Sequence, residues 1–108
     1  MGWRIVTVYR VPLIPEPQRF QILLDGVAVT LVVRWNDAAG VWMLDIFDDS
    51  GTVPLVLALP LVPGENLLAQ YRHMGIPGEL RVLTDGAPYD APTLANLGGA
   101  GNLYYVAV

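Results

Sequence analysis

The clearest signal in the chain is a two-residue alternation that begins near residue 19. Arg19 to Leu24 and Val27 to Trp35 flank Asp25-Gly26, a dipeptide that tolerates the positive φ of a tight hairpin turn. In the second arm Val27, Val29, Leu31, Val33 and Trp35 share one face, and Ala28, Thr30, Val32 and Arg34 share the other. That periodicity predicts a strand with a core side. Asn36 to Gly40 turns the chain, and Val41 to Asp48 returns with Trp42, Leu44 and Ile46 on one face and Asp45 on the opposite one. After the turn Asp49-Ser50-Gly51, the segment Thr52 to Leu59 alternates Val53, Leu55, Leu57 and Leu59 against Thr52, Pro54, Val56 and Ala58. Pro54 places this segment at a sheet edge or at a strand start. Hairpin-connected strands in this order form an antiparallel meander.

The flanks are less regular. Trp3 to Val11 reads as a first strand, with Trp3, Ile5 and Thr7 alternating against Val6 and Val8, and the proline-rich segment Pro12 to Pro17 closes it. Asn66 followed by Leu67 to Met74, with Gly75 as a stop, predicts one short helix near 66–74. Leu80 to Thr84 and Leu103 to Val108 read as strands, separated by a loop rich in Gly, Pro and Asp with room for one helical turn at Thr93 to Leu97. The expected fold is mainly β: a compact antiparallel barrel or sandwich of about six to seven strands with that one short helix. No repeat and no linker divides the chain, so residues 1–108 are expected to form a single β-rich domain.

Composition sharpens this picture. Of the 108 residues 54% are apolar or aromatic and only 15% are charged, more apolar surface than so short a chain can enclose. An outer surface is therefore expected to stay apolar or to be covered by neighbours. The net charge of −4, with six Arg and no Lys, argues against a partner held by phosphate contacts, so no nucleic acid is expected. No Cys is present, which removes disulfides and thiolate-bound metal. The N-terminus lacks the pattern of a secretory signal and has Val6 where a myristoylation motif has Ser or Thr. The longest apolar stretch, Val53 to Pro63, is interrupted by three prolines and is far shorter than the roughly 20 residues of a membrane-spanning helix. The chain reads as a soluble protein with no membrane partner.

Reactive chemistry is sparse. A nucleophilic hydrolase needs a hydroxyl or thiol beside an oriented base, and the chain offers one Ser and one His. Ser50 fits turn chemistry, and His73 fits a cation at a helix end. Asp45, Asp48 and Asp49 are close enough to evoke a Ca²⁺ loop, yet the other acidic positions and the terminal Glu of an EF-hand are missing. The glycines fit no phosphate-cradling pattern, and no Lys completes a P-loop. Ten acids leave room for a carboxylate pair of the glycosidase kind, although nothing singles one out. We expect no catalytic residue, no metal, no cofactor and no enzyme activity.

The aromatics say more. Trp35 and Trp42 fall on core faces of adjacent strands. Tyr104 and Tyr105 are consecutive in a strand and so point to opposite faces, which keeps at least one out of the core or under a neighbour. The first strand is apolar on both sides, so one face of the terminal strands is expected to meet another subunit. Trp3, Ile5, Tyr104 and Tyr105 are the candidate interface residues. A second reading is a small binding module, for carbohydrate, using Trp3, Tyr89, Tyr104 or Tyr105 as an exposed stacking platform.

The run Phe20 to Gly26, Leu31 to Asn36 and Trp42 to Asp48 with Gly51, followed by Leu61 to Arg72, resembles the baseplate plug family of contractile-tailed bacteriophages. Met74 to Leu80, the acidic loop Asp85 to Asp90 and the closing Leu103-Tyr104-Tyr105 extend the likeness. The resemblance covers nearly all of the chain from about Phe20, and Trp3 to Val11 fits it least. It implies a small, mostly β structural subunit of the virion tail baseplate, assembled in the host cytoplasm. Its implied partners are hub, tube and wedge proteins or further copies of itself. It brings no catalytic residue with it.

Overall fold

The computed structural model describes residues 7–71 and 74–107. Among these residues seven strands form two antiparallel sheets: β1 (Thr7–Val11), β2 (Gln18–Leu24), β3 (Val27–Asn36), β4 (Val41–Phe47), β5 (Pro54–Pro60), β6 (Glu79–Thr84) and β7 (Gly101–Ala107). One sheet has the order β2-β3-β4-β5, the expected meander, and the other the order β1-β7-β6. The sheets do not close on each other, so the architecture is a sandwich and not a barrel. Asp25 and Gly26 both adopt positive φ, at 54° and 83°, and join β2 to β3 through a two-residue turn with Leu24 opposite Val27. This is the hairpin that Asp-Gly encodes.

The core lies where the alternation put it. Val29, Leu31 and Val33 of β3 and Trp42, Leu44 and Ile46 of β4 are fully enclosed. They pack with Val11, Leu80, Val82, Leu103 and Tyr105 of the other sheet in one hydrophobic cluster. Trp42 is buried and Trp35, its cross-strand partner, is half-buried; their rings meet edge to face at 5.3 Å. The Trp42 indole N–H also donates to the Thr93 carbonyl at 2.8 Å, tying the long loop after β6 to the larger sheet.

Three expectations need correction. The simple alternation of Thr52 to Leu59 fails, because β5 is bulged: Leu44 faces Leu59, Ile46 faces Val56 and Phe47 faces Pro54, so β5 twice carries an extra residue. Val56 and Leu59 therefore enter the core, while Leu57 is 55% exposed. The short helix near 66–74 is absent among the described residues, which form turns with i to i+3 hydrogen bonds. Asn66 does not cap a helix. Its side chain accepts the N–H groups of Leu68 and of Leu80 on β6, and the Leu67 N–H donates to the Leu80 carbonyl. A segment this short gains little from helix nucleation, so docking onto β6 prevails. Thr93 to Leu97 is likewise a turn, closed by reciprocal bonds between Thr93 and Asn96.

One close approach lies against the smaller sheet. The Tyr105 hydroxyl is buried against the Gly78 backbone, its one polar neighbour and short of regular hydrogen-bond geometry, and a methyl group at Gly78 would run into the phenol and into the Val106 carbonyl. Burial pushes the phenol pKa up. Gly78→Ala is expected to destabilise the fold by about 1–3 kcal/mol through overpacking. Tyr105→Phe, which removes a buried hydroxyl that lacks a well-formed hydrogen bond, should change stability by about 1 kcal/mol or less. Urea unfolding of the two variants measures both effects.

Candidate functional site

The outward face of the smaller sheet is built from three strands in strict register. Tyr104 of β7 stands between Arg10 of β1 and Arg81 of β6, with Val8, Val106 and Glu79 in the row beside it. Tyr105, the next residue, is 1% exposed in the core, whereas Tyr104 is half-buried on this outer face. The two tyrosines thus go to opposite sides, as consecutive strand residues must. Arg81 is held by Glu79 at 2.8 Å and donates to the Gly64 carbonyl at 3.1 Å. Arg10 is exposed and makes no side-chain hydrogen bond or ion pair among the described residues. Val8 and Leu83, 54% and 51% exposed, extend the face with apolar surface. Trp3 and Ile5 lie outside the described residues.

The outward face of the larger sheet contains a buried charge. Asp45 projects from β4 away from the core, yet it is among the buried polar residues. Its carboxylate accepts from Arg34 Nε at 3.2 Å and Arg34 Nη2 at 3.4 Å, and from the Ala58 N–H at 2.7 Å. Ala58 sits in the β5 bulge with φ of 58°, a conformation disfavoured for a residue with a Cβ. Asp45 thereby supplies a partner to a backbone N–H that the bulge removes from the ladder. Burial alone would raise its pKa. The Arg34 hydrogen bond, the Ala58 N–H and the Arg34 charge together outweigh that and hold the carboxyl below its ordinary range.

Nearby, Arg19 of β2 reaches over the Phe47 ring at 5.9 Å to the Gly51 carbonyl at 2.9 Å, and Gln21 reaches the Asp49 carbonyl at 2.9 Å. These side chains lace the β4–β5 turn to the opposite edge of the sheet. Asp48 accepts from Ser50 Oγ at 2.6 Å and from the N–H groups of Thr52 and Val53, and the Ser50 bond is the main cause of its lowered pKa. Asp45, Asp48 and Asp49 are each engaged differently, and among the described residues no three His, Asp or Glu side chains converge on one point. Ser50 is a turn residue bonded to Asp48 and Thr52, and His73 lies outside the described residues. Tyr89 is 93% exposed on the loop after β6.

Sequence reasoning missed two features. The Arg10–Tyr104–Arg81 row depends on pairing between strands that are distant in the chain, for which no local signal exists. The Arg34–Asp45 pair was within reach, because both occupy outward positions of one hairpin, and counting back from its turn puts them in adjacent rows.

Among known protein families, residues 8–108 match the one described as cyanophage baseplate Pam3 plug gp18. The match includes β1 from Val8, the region where the resemblance read from the residues was weakest. No curated protein matches the chain.

The Asp45 clamp gives a testable stability profile. Asp45→Ala strands the Ala58 N–H and leaves Arg34 unpaired, and should destabilise the protein by about 2–3 kcal/mol. Because its folded-state pKa lies below the unfolded value, the stabilisation from Asp45 is complete above about pH 5 and fades as pH falls through the folded-state pKa. Urea midpoints measured from pH 7 down to pH 3 should show a steeper acid loss in the parent chain than in Asp45→Asn.

Proposed function

The chain belongs to the cyanophage baseplate plug family, and from that premise we propose that it works as a non-catalytic building block of the virion tail. In this reading it sits at the centre of the baseplate and contacts hub, tube or wedge proteins, or copies of itself. One observation carries the proposal: large apolar side chains stand outside the sandwich on several surfaces. Val8, Leu23, Leu57 and Leu83 are each more than half exposed. An antiparallel sheet with one face in water ordinarily presents polar residues there. Apolar positions on outward faces fit surfaces that a neighbour covers.

The carboxylates support the absence of catalysis. Asp45 has its oxygens occupied by a guanidinium and a backbone N–H, and Asp48 is engaged by its own turn. Neither is poised to exchange a proton with a substrate. The exposure of Tyr89 favours one second reading, a loop that stacks on a sugar ring.

Co-expression with the products of adjacent tail genes should yield a stable complex, and failure to associate with any of them would remove the building-block reading. In that complex Tyr104→Ala and Leu83→Asp should each weaken binding by about tenfold, with melting temperatures close to the parent. A glycan-array signal abolished by Tyr89→Ala would instead favour the sugar-binding reading.

A further inference from the structure

Backbone directions on β1 follow from the far side of its sheet. In an antiparallel sheet each residue turns its N–H and C=O to the same side, and the next residue turns them to the other. On β6 the Leu80 N–H goes to the Asn66 side chain at 3.0 Å, and its carbonyl accepts the Leu67 N–H at 2.8 Å, so both point away from β7. Leu80 faces Tyr105, which consequently turns its own groups towards β1, where it faces Tyr9. Thr7, Tyr9 and Val11 are thus bonded to β7, and Val8 and Arg10 direct their N–H and C=O outward from the edge of the sheet.

The four edges of the sandwich are not equivalent. At β6 the Asn66–Leu67 segment covers Leu80. At β5 two prolines and two bulges break the ladder. β2 has neither proline nor bulge, but its one charged side chain, Arg19, is already engaged by the Gly51 carbonyl and leaves no free charge at that edge. β1 contains neither proline nor bulge, and no hydrogen bond among the described residues meets Val8 or Arg10 on its outer side.

Charge identifies what such an edge would take. Arg19 is bonded to the Gly51 carbonyl, Arg34 to Asp45 and Arg81 to Glu79. Arg10 has no counterpart among the described residues, and the side chains of residues 1–6, 72–73 and 108 include no Asp or Glu. Beside Tyr104, Glu79 neutralises Arg81 on one flank, and the flank at Arg10 lacks its acid. A second copy paired through β1 would not supply it, because β1 has no acidic residue.

We propose that β1 receives an extended strand from a partner baseplate protein. That strand is hydrogen-bonded at Val8 and Arg10, with apolar residues beside Val8 and a carboxylate facing Arg10. This rests on the building-block reading and names the edge and the kind of partner.

The test uses the full chain in complex with the adjacent tail-gene products. Hydrogen exchange on the free chain and the complex should show the Val8 and Arg10 amides slowing by about tenfold or more on assembly. Val8→Pro removes an outward donor and no bond to β7, and should weaken the complex by about tenfold or more. Arg10→Glu, a change at an exposed position that leaves the ladder intact, should do the same and be rescued by an Arg at the facing acid of the partner. If the complex forms with the amides at Val8 and Arg10 exchanging as in the free chain, the edge proposal is overturned and the building-block reading stands. Normal affinity in both variants overturns it equally. Sedimentation showing a dimer of the free chain with those amides already protected would assign the edge to a second copy, against the proposal. Failure to bind any tail protein sinks both readings.

Discussion

A two-layer β structure has one interior, and each strand can offer it only every second side chain. In this chain β3 and β4 fill that interior with Val29, Leu31, Val33, Trp42, Leu44 and Ile46, and the smaller sheet answers with Leu80, Val82, Leu103 and Tyr105. The apolar residues on the opposite phase have nowhere inside to go. Leu23, Leu83 and Val8 remain outside for this geometric reason, whatever their hydrophobicity. The surfaces of the protein are thus a by-product of its core: the alternation that encloses one set of side chains displays the other.

Local rules made the larger sheet readable. Asp25-Gly26 with its positive φ values and the uninterrupted alternation of β3 and β4 needed nothing beyond neighbouring residues. Where a distant partner intervened, the local pattern lost its authority. Asn66 has the chemistry of a helix cap, but Leu80 offers its side chain a backbone donor from another strand, and the segment docks as turns. In β5, insertion of extra residues reverses the phase midway, so Val56 faces inward where strict alternation would have put Leu57. Nothing in the segment Thr52 to Leu59 announces this, because every position is apolar or small and either phase looks acceptable.

The outward surface was legible only in part. That Tyr104 and Tyr105 must separate follows from the strand itself, whereas which of them enters the core depends on pairing with β1 and β6. Asp45 illustrates the reverse. Its position opposite the core face was plain, but its burial arises from Arg34 on one side and the bulge at Ala58 on the other. A carboxylate that looks like a solvated strand residue proves to be bonded to both neighbouring strands, to Arg34 on β3 and to the Ala58 N–H on β5.

The irregularity of β5 has a further consequence for a chain whose mean hydropathy is +0.46. A flat, greasy outermost strand would template sheet-to-sheet aggregation. Pro54 and Pro60 withhold donors at both ends of β5, and the kink at Ala58, anchored from behind by Asp45, spoils the straightness that a fibril repeat requires. The same bulge that breaks the tidy pattern of the sequence therefore denies a second strand a regular ladder along β5.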